Sequence, residues 1–535
     1  MRMLVHYQAP SKPSPAWSVT SQTKPYTLNH YDYIIIGSGM GGGTLAAKLA
    51  PSGKSILILE RGGYIPREPE NWSTKAVFID GRYAPDEEWM DKDRESFRPG
   101  THYCVGGNSK FYGSALLRMR ERDFEEIEHI DGISPAWPLT YEDFKDWYLE
   151  AERMYHVHGE RGSDPTEPAE ERPYPLPPIA HEPRIQEVYD DIREQGVRAF
   201  PLPMGVKLGT KPGQSPYILD RFDGYPDASE AKADAHVCAI KPALEYDNVR
   251  LEPHCLVQKI ETSADGKRAT AVQVARGGVS MRFTGDTIVV SCGAVNSAAL
   301  LLRSRNEHHP NGLGNSSDLL GRNYMAHCNS AMLALSTKPN PTRFGKTFAI
   351  NDYYFGDGKF GYPLGHIQML GKSDAAQIGQ EAPAFAPGFT LEYVAEHALD
   401  FWLTSEDLPL AENRVTLTDD DQIQLSYTET NMKAHEHLRE KLKDILRKVD
   451  DGDGRLFKNK LYFSKDIPLA SVGHQCGTAV FGTDPSKSVL DLNCKMHDLD
   501  NLYVVDSSFF PSSGAVNPGL TIAANAIRVA AHLME

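Results

Sequence analysis

Three glycines and one glutamate near the start of the chain have the types and spacing needed to bind a dinucleotide. Gly37, Gly39 and Gly42 stand in G-x-G-x-x-G spacing after three isoleucines, and Glu60 ends the next apolar run, SILILE. The first glycine permits a tight turn, the second lets backbone N–H groups approach a pyrophosphate, and the third lets helix and strand pack closely. The positive end of the following helix would face the pyrophosphate, and Glu60 would bind an adenosine ribose. The pattern therefore predicts a dinucleotide site and leaves FAD and a nicotinamide cofactor both open.

The elements that must position this site recur along the chain. The strand–glycine–helix pattern returns at residues 287–304, and residues 499–533 again show a strand, Asp506, a loop and a helix. We also predict an amphipathic helix over 141–157, a hairpin around Asp265 and Gly266, a hairpin over 413–427 and a helix over 431–449. These pieces predict a discontinuous cofactor domain into which a substrate domain is inserted. The predicted order is an irregular arm over 1–30, cofactor segments over 31–155, 236–325 and 461–535, and substrate segments over 156–235 and 326–460.

Composition excludes several classes of partner. The 535 residues carry a formal net charge of −16, which argues against nucleic acid because phosphate binding needs a basic surface. No apolar run is long enough to span a bilayer, and the first residues lack the apolar core of a signal peptide. Seven cysteines without a C-x-x-C pair fit reduced thiols. We therefore expect a cytoplasmic protein with no membrane partner, and the oligomeric state stays open.

Four segments, in order and over nearly the whole chain, resemble the glucose–methanol–choline (GMC) oxidoreductases, flavoenzymes that oxidise alcohols with FAD. They are IIIGSGMGGG…LILERGG, VGGNSKFYG, VVSCGAVNSAALLLRS and GHQCGTAVFG…NLYVVDSSFFPSSGAVNPGLTIAANAIRVA. HQCGT, NPGLT and SPAWPLTYEDF look most like the pyranose oxidase branch, which includes bacterial glycoside 3-oxidases. The resemblance implies an α/β fold, α+β overall, with a discontinuous Rossmann-like FAD-binding domain and an inserted substrate-binding domain built on an antiparallel sheet.

The resemblance also implies the catalytic pair. His474, in GHQCGT, matches the family's catalytic histidine, and Asn517, in AVNPGL, matches its partner. An imidazole suits the removal of a hydroxyl proton, and an amide can hold the same oxygen while hydride leaves the carbon for flavin N5. Residue types alone give Asn517 and Pro518 a further expected role, as the N-cap and first residue of the last helix.

Further matches concern the cofactor. Phe111 stands where some relatives carry a histidine bonded to the flavin, so we predict non-covalent FAD; His102 lies out of register for that bond. Asp506 matches the aspartate near the ribityl–pyrophosphate region, and Val257 lies where relatives contact adenine through the backbone. The expected FAD contacts are Gly37, Gly39, Met40, Gly41, Gly42, Glu60, Arg61, Gly106, Gly107, Asn108, Ser109, Val257, Asp506, Pro518 and Thr521.

We therefore expect oxidation of a secondary ring hydroxyl of a sugar or glycoside to a keto-sugar, with dioxygen or a quinone-like compound as electron acceptor. Three alternatives stay open: a sterol, aryl or other non-sugar alcohol as substrate, a lyase that keeps FAD only structurally, and a nicotinamide-dependent enzyme. Tyr353, Tyr354, His366 and Gln368 could contact a sugar or simply pack within a sheet.

No metal site is predicted. The acidic run over 450–455 lacks the glutamate that a calcium loop needs and is interpreted as a turn, as is the run over 419–421. His435 and His437 should point to different faces of a helix. Cys476 is expected to be a small buried residue rather than a redox group.

Overall fold

The computed structural model describes residues 29–208, 223–381, 388–449 and 461–535. All but the last two residues of the predicted N-terminal arm, and the predicted acidic turn over 450–455, lie outside the described residues. The strands of the two large sheets are β1 (His30–Ile36), β2 (Ile56–Leu59), β3 (Phe200–Pro201), β4 (Val249–Glu252), β5 (Leu256–Thr262), β6 (Ala269–Arg276), β7 (Val279–Val290), β8 (Cys328–Leu335), β9 (Phe348–Ile350), β10 (His366–Met369), β11 (Ala398–Ser405), β12 (Tyr462–Asp466) and β13 (Leu502–Val504). The longer helices are α1 (Met40–Leu49), α2 (Tyr141–Met154), α3 (Pro183–Glu194), α4 (Ala294–Arg303), α5 (Ala375–Glu381), α6 (Gly388–His397), α7 (Met432–Leu446) and α8 (Gly519–Met534).

The first sheet has the order β4-β2-β1-β7-β6-β5, with β13 beside β7. Strands β4, β2, β1, β7 and β13 are parallel, and β7-β6-β5 are antiparallel. The apolar residues of β1 and β2 are buried, and α1 contacts both strands and packs against α8. Strand β7 serves both parts: residues 279–284 pair with β6, and residues 284–290 pair with β1. This is the Rossmann-like sheet that the glycine pattern predicted.

The second sheet is antiparallel throughout, in the order β12-β8-β11-β10-β9-β3. Helices α3 and α7 contribute to its separate hydrophobic core, where Ile185, Val188, Leu438 and Leu442 join Phe401. A two-stranded ribbon, Met325–Ala326 with Gln475–Cys476, leads into β8 and brings it beside the segment that precedes β13. The antiparallel sheet of the expected substrate domain is therefore present.

Most local predictions match, with shifted ends. The hairpins form between β5 and β6 and between Arg414–Leu417 and Ile423–Ser426. The helix predicted over 141–157 ends at Met154, because His156 adopts a left-handed conformation (φ 50°) and Val157–His158 pair with Met204–Gly205. Among the described residues, no helix is both long and apolar enough to cross a membrane.

Candidate active site

A cavity of about 420 Å³ extends from the glycine turn before α1 to the loop before α8. It brings together residues from both ends of the chain, because β1 and β13 both flank β7. Most of the predicted site residues lie in its wall: Gly37, Gly39, Met40, Gly41, Glu60, Arg61, Gly107, Asn108, Ser109, Val257, His474, Asp506, Asn517 and Pro518. Among the described residues, the predicted contacts Gly42, Gly106 and Thr521 lie outside this wall.

The glycines before and within α1 are required for two different reasons. Gly37 has φ +103°, and a β-carbon on Gly41 would stand 1.9 Å from the Val505 carbonyl oxygen. A β-carbon on Gly42 would stand 2.2 Å from the Gly37 carbonyl oxygen. These three glycines let the turn and helix pack against the sheet, so their need is structural.

Gly39 differs from these glycines because it faces space. Among the described residues, no heavy atom lies within 4 Å of the position a β-carbon would take there, and no side chain caps the helix that begins at Met40. A helix N-terminus with an open approach fits a pyrophosphate. At Gly39 the turn before α1 therefore leaves room for a ligand, whereas at the other three glycines it packs against protein.

Glu60 closes this end of the cavity. Its carboxylate accepts hydrogen bonds from the Ser38 N–H (3.0 Å), the Ser38 hydroxyl (2.6 Å) and the Gly62 N–H (2.9 Å). Burial raises its pKa, although these bonds oppose that effect. Glu60 thus fixes the glycine turn and leaves its carboxylate in the wall, where a ribose hydroxyl could donate to it.

The second glycine loop lies against the first. Gly106 adopts φ +96°, and its N–H donates to the Ser38 hydroxyl at 3.1 Å. The Ser109 hydroxyl donates to the Gly106 carbonyl at 2.5 Å, and the Asn108 side-chain Oδ1 accepts from the His102 N–H at 2.7 Å. Gly106 therefore shapes the loop from behind, while Gly107, Asn108 and Ser109 face the cavity.

Two aromatic rings follow this loop. The rings of His102 and Phe111 are stacked with their centroids 3.8 Å apart, and both line the cavity. His102 Nδ1 lies 2.9 Å from the Tyr83 carbonyl oxygen. Sequence register did not reveal that His102 would share the wall with Phe111.

Three other predicted cofactor contacts have side chains that form hydrogen bonds or ion pairs within the protein. The Asp506 carboxylate accepts from the Gly293 N–H (3.0 Å) and the Ser297 hydroxyl, which ties β13 to the start of α4. The Thr521 hydroxyl lies 2.8 Å from the Tyr148 hydroxyl and is completely buried. Arg61 pairs with Glu87 at 2.8 Å while its guanidinium lies over a tyrosine ring.

His474 and Asn517 meet at the other end of the cavity. The Asn517 side-chain nitrogen lies 3.5 Å from His474 Nε2. Burial first, and then electrostatic interaction with His327 and Lys346, lowers the pKa of His474 well below its usual value, so the imidazole is neutral near pH 7. The N-cap prediction for Asn517 was wrong: α8 begins at Gly519, and the amide is directed to His474 instead of the helix.

The structure adds His327, which sequence reasoning missed. Its Nδ1 lies 2.9 Å from His474 Nδ1, and its Nε2 lies 3.2 Å from the Ser513 carbonyl oxygen. A histidine that meets a second histidine across so short a ribbon leaves no motif in the sequence, so no sequence signal indicated His327.

Three polar or aromatic side chains in the same wall were also missed. Asn329 and Trp402 lie on β8 and β11, where the indole N–H donates to the Asn329 side-chain Oδ1 at 3.2 Å. Gln475 adjoins His474 in the wall. By contrast, the cavity wall formed by the described residues does not include the four side chains considered above for sugar contact, Tyr353, Tyr354, His366 and Gln368.

The remaining candidates have ordinary surroundings. His435 lies between the Ser330 and Ser405 hydroxyls, whereas His437 faces Asp357, so the two point apart as predicted. Cys476 is buried, which raises its thiol pKa. Among the described residues, no group of three or more His, Cys, Asp or Glu side chains is placed to hold a metal ion.

Comparison with known proteins identifies the class of protein. Two models described as GMC oxidoreductase match residues 31–329 and 409–526. The chain therefore belongs to the GMC oxidoreductases, flavoproteins that use FAD to oxidise CH–OH groups.

Two curated relatives align over nearly the full chain. The 6'''-hydroxyparomomycin C oxidase of Streptomyces lividus is 29% identical and aligns over 94% of this chain and 92% of its own length. The fructose dehydrogenase large subunit of Gluconobacter japonicus is 25% identical, over 93% of this chain and 97% of its own. Among solved structures, pyridoxine 4-oxidase from Mesorbium loti superimposes with a TM-score of 0.64 at 18% identity, over 94% of this chain and 99% of its own, which supports the fold.

Proposed function

We propose that the protein oxidises a secondary ring hydroxyl of a sugar or glycoside to the corresponding keto-sugar. The observation that carries the proposal is the meeting of His474 and Asn517 in one wall of the cavity that begins at the open N-terminus of α1. One relative is named for the sugar fructose and another for a paromomycin derivative, which supports a polyhydroxylated substrate.

The chain's own residues would bind FAD in the following way. The N-terminus of α1 beside Gly39 would hold the pyrophosphate, Glu60 the adenosine ribose, and the loop of Gly107, Asn108 and Ser109 the ring system. FAD, when bound, supplies the acceptor for the hydride that leaves the carbinol carbon. We propose that it is held without a covalent bond, since Phe111 offers no nucleophile.

His474 and Asn517 would perform the proton chemistry. His474 Nε2 would take the hydroxyl proton, while the Asn517 amide N–H would donate to the same oxygen and fix the orientation of the carbinol C–H. The hydroxyl proton ends on His474, the carbinol hydrogen leaves with its two electrons, and the carbon–oxygen bond becomes double. Dioxygen or a quinone-like compound would reoxidise the cofactor.

Three side chains of the cavity wall, those of Trp402, Asn329 and Gln475, would select the substrate. Trp402 offers an aromatic face for a sugar ring, and Asn329 and Gln475 offer amide groups for its hydroxyls. We propose that the antiparallel sheet forms the substrate domain and that the Rossmann-like sheet forms the FAD domain, with the boundaries predicted above.

Anaerobic mixing of the holoenzyme with a panel of sugars, glycosides, sterols and aryl alcohols tests the proposal. We expect loss of the flavin absorption with one or more sugars or glycosides, and formation of a keto-sugar. Bleaching by non-sugar alcohols alone would replace the substrate class. No bleaching with any alcohol would overturn the oxidation and favour a lyase with structural FAD.

A further inference from the structure

His474, which lines the cavity, and His327 are cross-strand neighbours. In the antiparallel ribbon Met325 pairs with Cys476 and Ala326 pairs with Gln475. One more step along each strand brings His327 opposite His474, and their Nδ1 atoms are 2.9 Å apart. The ribbon therefore determines which imidazole nitrogen of His474 faces protein and which faces the cavity.

The partners of His327 determine where its proton lies. The Ser513 carbonyl oxygen, 3.2 Å from His327 Nε2, can only accept a hydrogen bond, so Nε2 carries the hydrogen. Burial lowers the pKa of His327 to about 4, so near pH 7 it is neutral and has a single N–H. Its Nδ1 is therefore an acceptor.

The proton on His474 follows from this. Because His327 Nδ1 accepts, His474 must donate from its own Nδ1, and its Nε2 is left with a lone pair. The Asn517 side-chain nitrogen, 3.5 Å from Nε2, is a donor and agrees with the same tautomer. Two independent partners therefore direct the basic nitrogen of His474 toward the cavity.

We propose that His327 is a positioning residue that holds His474 in the tautomer whose Nε2 is free to take the substrate proton. The proposal rests on the proposed role of His474 as the base. After proton uptake, the bond from His474 Nδ1 to His327 becomes charge-assisted, so the same contact stabilises the imidazolium. The surrounding charged groups are Glu406, whose charge acts on His327, and Lys346, whose charge acts on His474.

His327 also lies on a braced backbone. Its carbonyl oxygen accepts from the Asn329 side chain at 2.7 Å, and Asn329 is itself held by Trp402. The Gly514 N–H, next to Ser513, donates to the buried Glu406 at 3.3 Å. Both sides of the histidine pair are thus fixed, as a positioning role requires.

Two near-isosteric variants separate this role from a structural one. In His327→Asn the side-chain oxygen can occupy the place of Nδ1 and accept from His474, whereas in His327→Gln the longer amide can reach the place of Nε2 and donate to Ser513. Imposing the wrong tautomer on a catalytic histidine lowers turnover by up to about 10⁴-fold. We expect His327→Asn to keep the rate of flavin reduction within about 10-fold, and His327→Gln to lose about 100-fold or more at unchanged FAD content.

The reverse order, in which Gln preserves the rate and Asn does not, would mean that His327 only holds the Ser513 loop and would overturn the proposal. Neutron diffraction of the oxidised holoenzyme gives a second reading that needs no turnover. We expect deuterium on His474 Nδ1 and His327 Nε2; deuterium on His474 Nε2 alone would overturn the proposal. If His474→Ala kept full activity, the base assignment would fail while the neutron result still reported the tautomer, so the two failures are distinguishable.

Discussion

Gly107 lies so close to Gly39 that a β-carbon on Gly107 would stand 3.2 Å from the Gly39 α-carbon. Two glycine loops that are distant in sequence therefore touch in the wall of one cavity, and the Ser38 hydroxyl joins them through the Gly106 N–H. The two loops therefore form one continuous part of the cavity wall.

This arrangement predicts opposite effects for two alanine substitutions in the same turn. Gly39→Ala should fold normally, because φ is −71° and no described protein atom lies in the way, but it should weaken FAD binding about 10-fold or more by obstructing backbone hydrogen bonds to phosphate. Gly41→Ala should lower the apoprotein's stability by about 1–3 kcal/mol or more, because its β-carbon meets the Val505 carbonyl. Thermal melts of the apoproteins and FAD titrations measure both effects. Unchanged FAD affinity in Gly39→Ala would place the pyrophosphate elsewhere.

Replacing the proposed base should separate binding from turnover. His474→Ala should retain FAD while flavin reduction slows by about 10²–10⁴-fold, the usual contribution of a general base. Stopped-flow reduction under anaerobic conditions and the FAD absorbance measure the two properties. His437→Ala is the matched control: His437 lies on α7 and faces Asp357, so this variant should reduce flavin at the normal rate. A variant at His474 with near-normal turnover would contradict the assignment.

Activity should depend on pH through the neutral form of His474. Burial first, and then electrostatic interaction with His327 and Lys346, lowers the pKa of His474 well below 6.5. A base acts when unprotonated, so the rate should be fully present above that pKa and fall as pH decreases through it. The pH profile of flavin reduction should therefore be flat from neutral pH down to below 6.5. An acid limb centred well above 6.5 would contradict this protonation state.

The stability of the fold should also decrease as pH decreases, because several buried histidines have lowered pKa values. Burial lowers the pKa of His327 to about 4 and those of His366 and His435 to about 3. Below about pH 6.5 the unfolded chain takes up protons at these histidines that the folded chain does not, so stability is lost as pH decreases. Melting temperatures between pH 7 and 4 measure this loss. His435→Gln should make the loss shallower if the mutant folds.

Acid precipitation tests the mode of FAD attachment. Phe111 cannot form a bond to the flavin, so we expect a colourless pellet and a yellow supernatant. A yellow pellet would contradict the prediction, and His102, which is stacked on Phe111, would then be the imidazole to replace first.

What could be predicted from sequence depended on how local the cause was. The turn at Gly37 and the start of α1 at Met40 follow from spacing and backbone freedom within a few residues. The ribbon that pairs His327 with His474 is only two residues long on each side and joins distant parts of the chain, so no periodicity marks it.

Tertiary partners also override local preference. Asn517 has the side chain of a helix cap, yet its amide is directed to His474. The Thr521 hydroxyl, expected at the cofactor, lies against the Tyr148 hydroxyl. In both cases the competing partner lies far away in sequence and becomes visible only once the sheets are assembled.

The ribbon strand Met325–Ala326 is followed by His327 and then by β8, which carries Asn329. Strand β8 pairs with β11, which carries Trp402. His327, which supports the proposed base, and Asn329, which lies in the proposed substrate-selecting wall, thus stand two residues apart in the chain. Exchange of substrate domains between relatives would succeed only if the graft includes residues 325–335 together with the partner segment around His474. A change of substrate specificity made in this segment would therefore also change the residue that orients the proposed base.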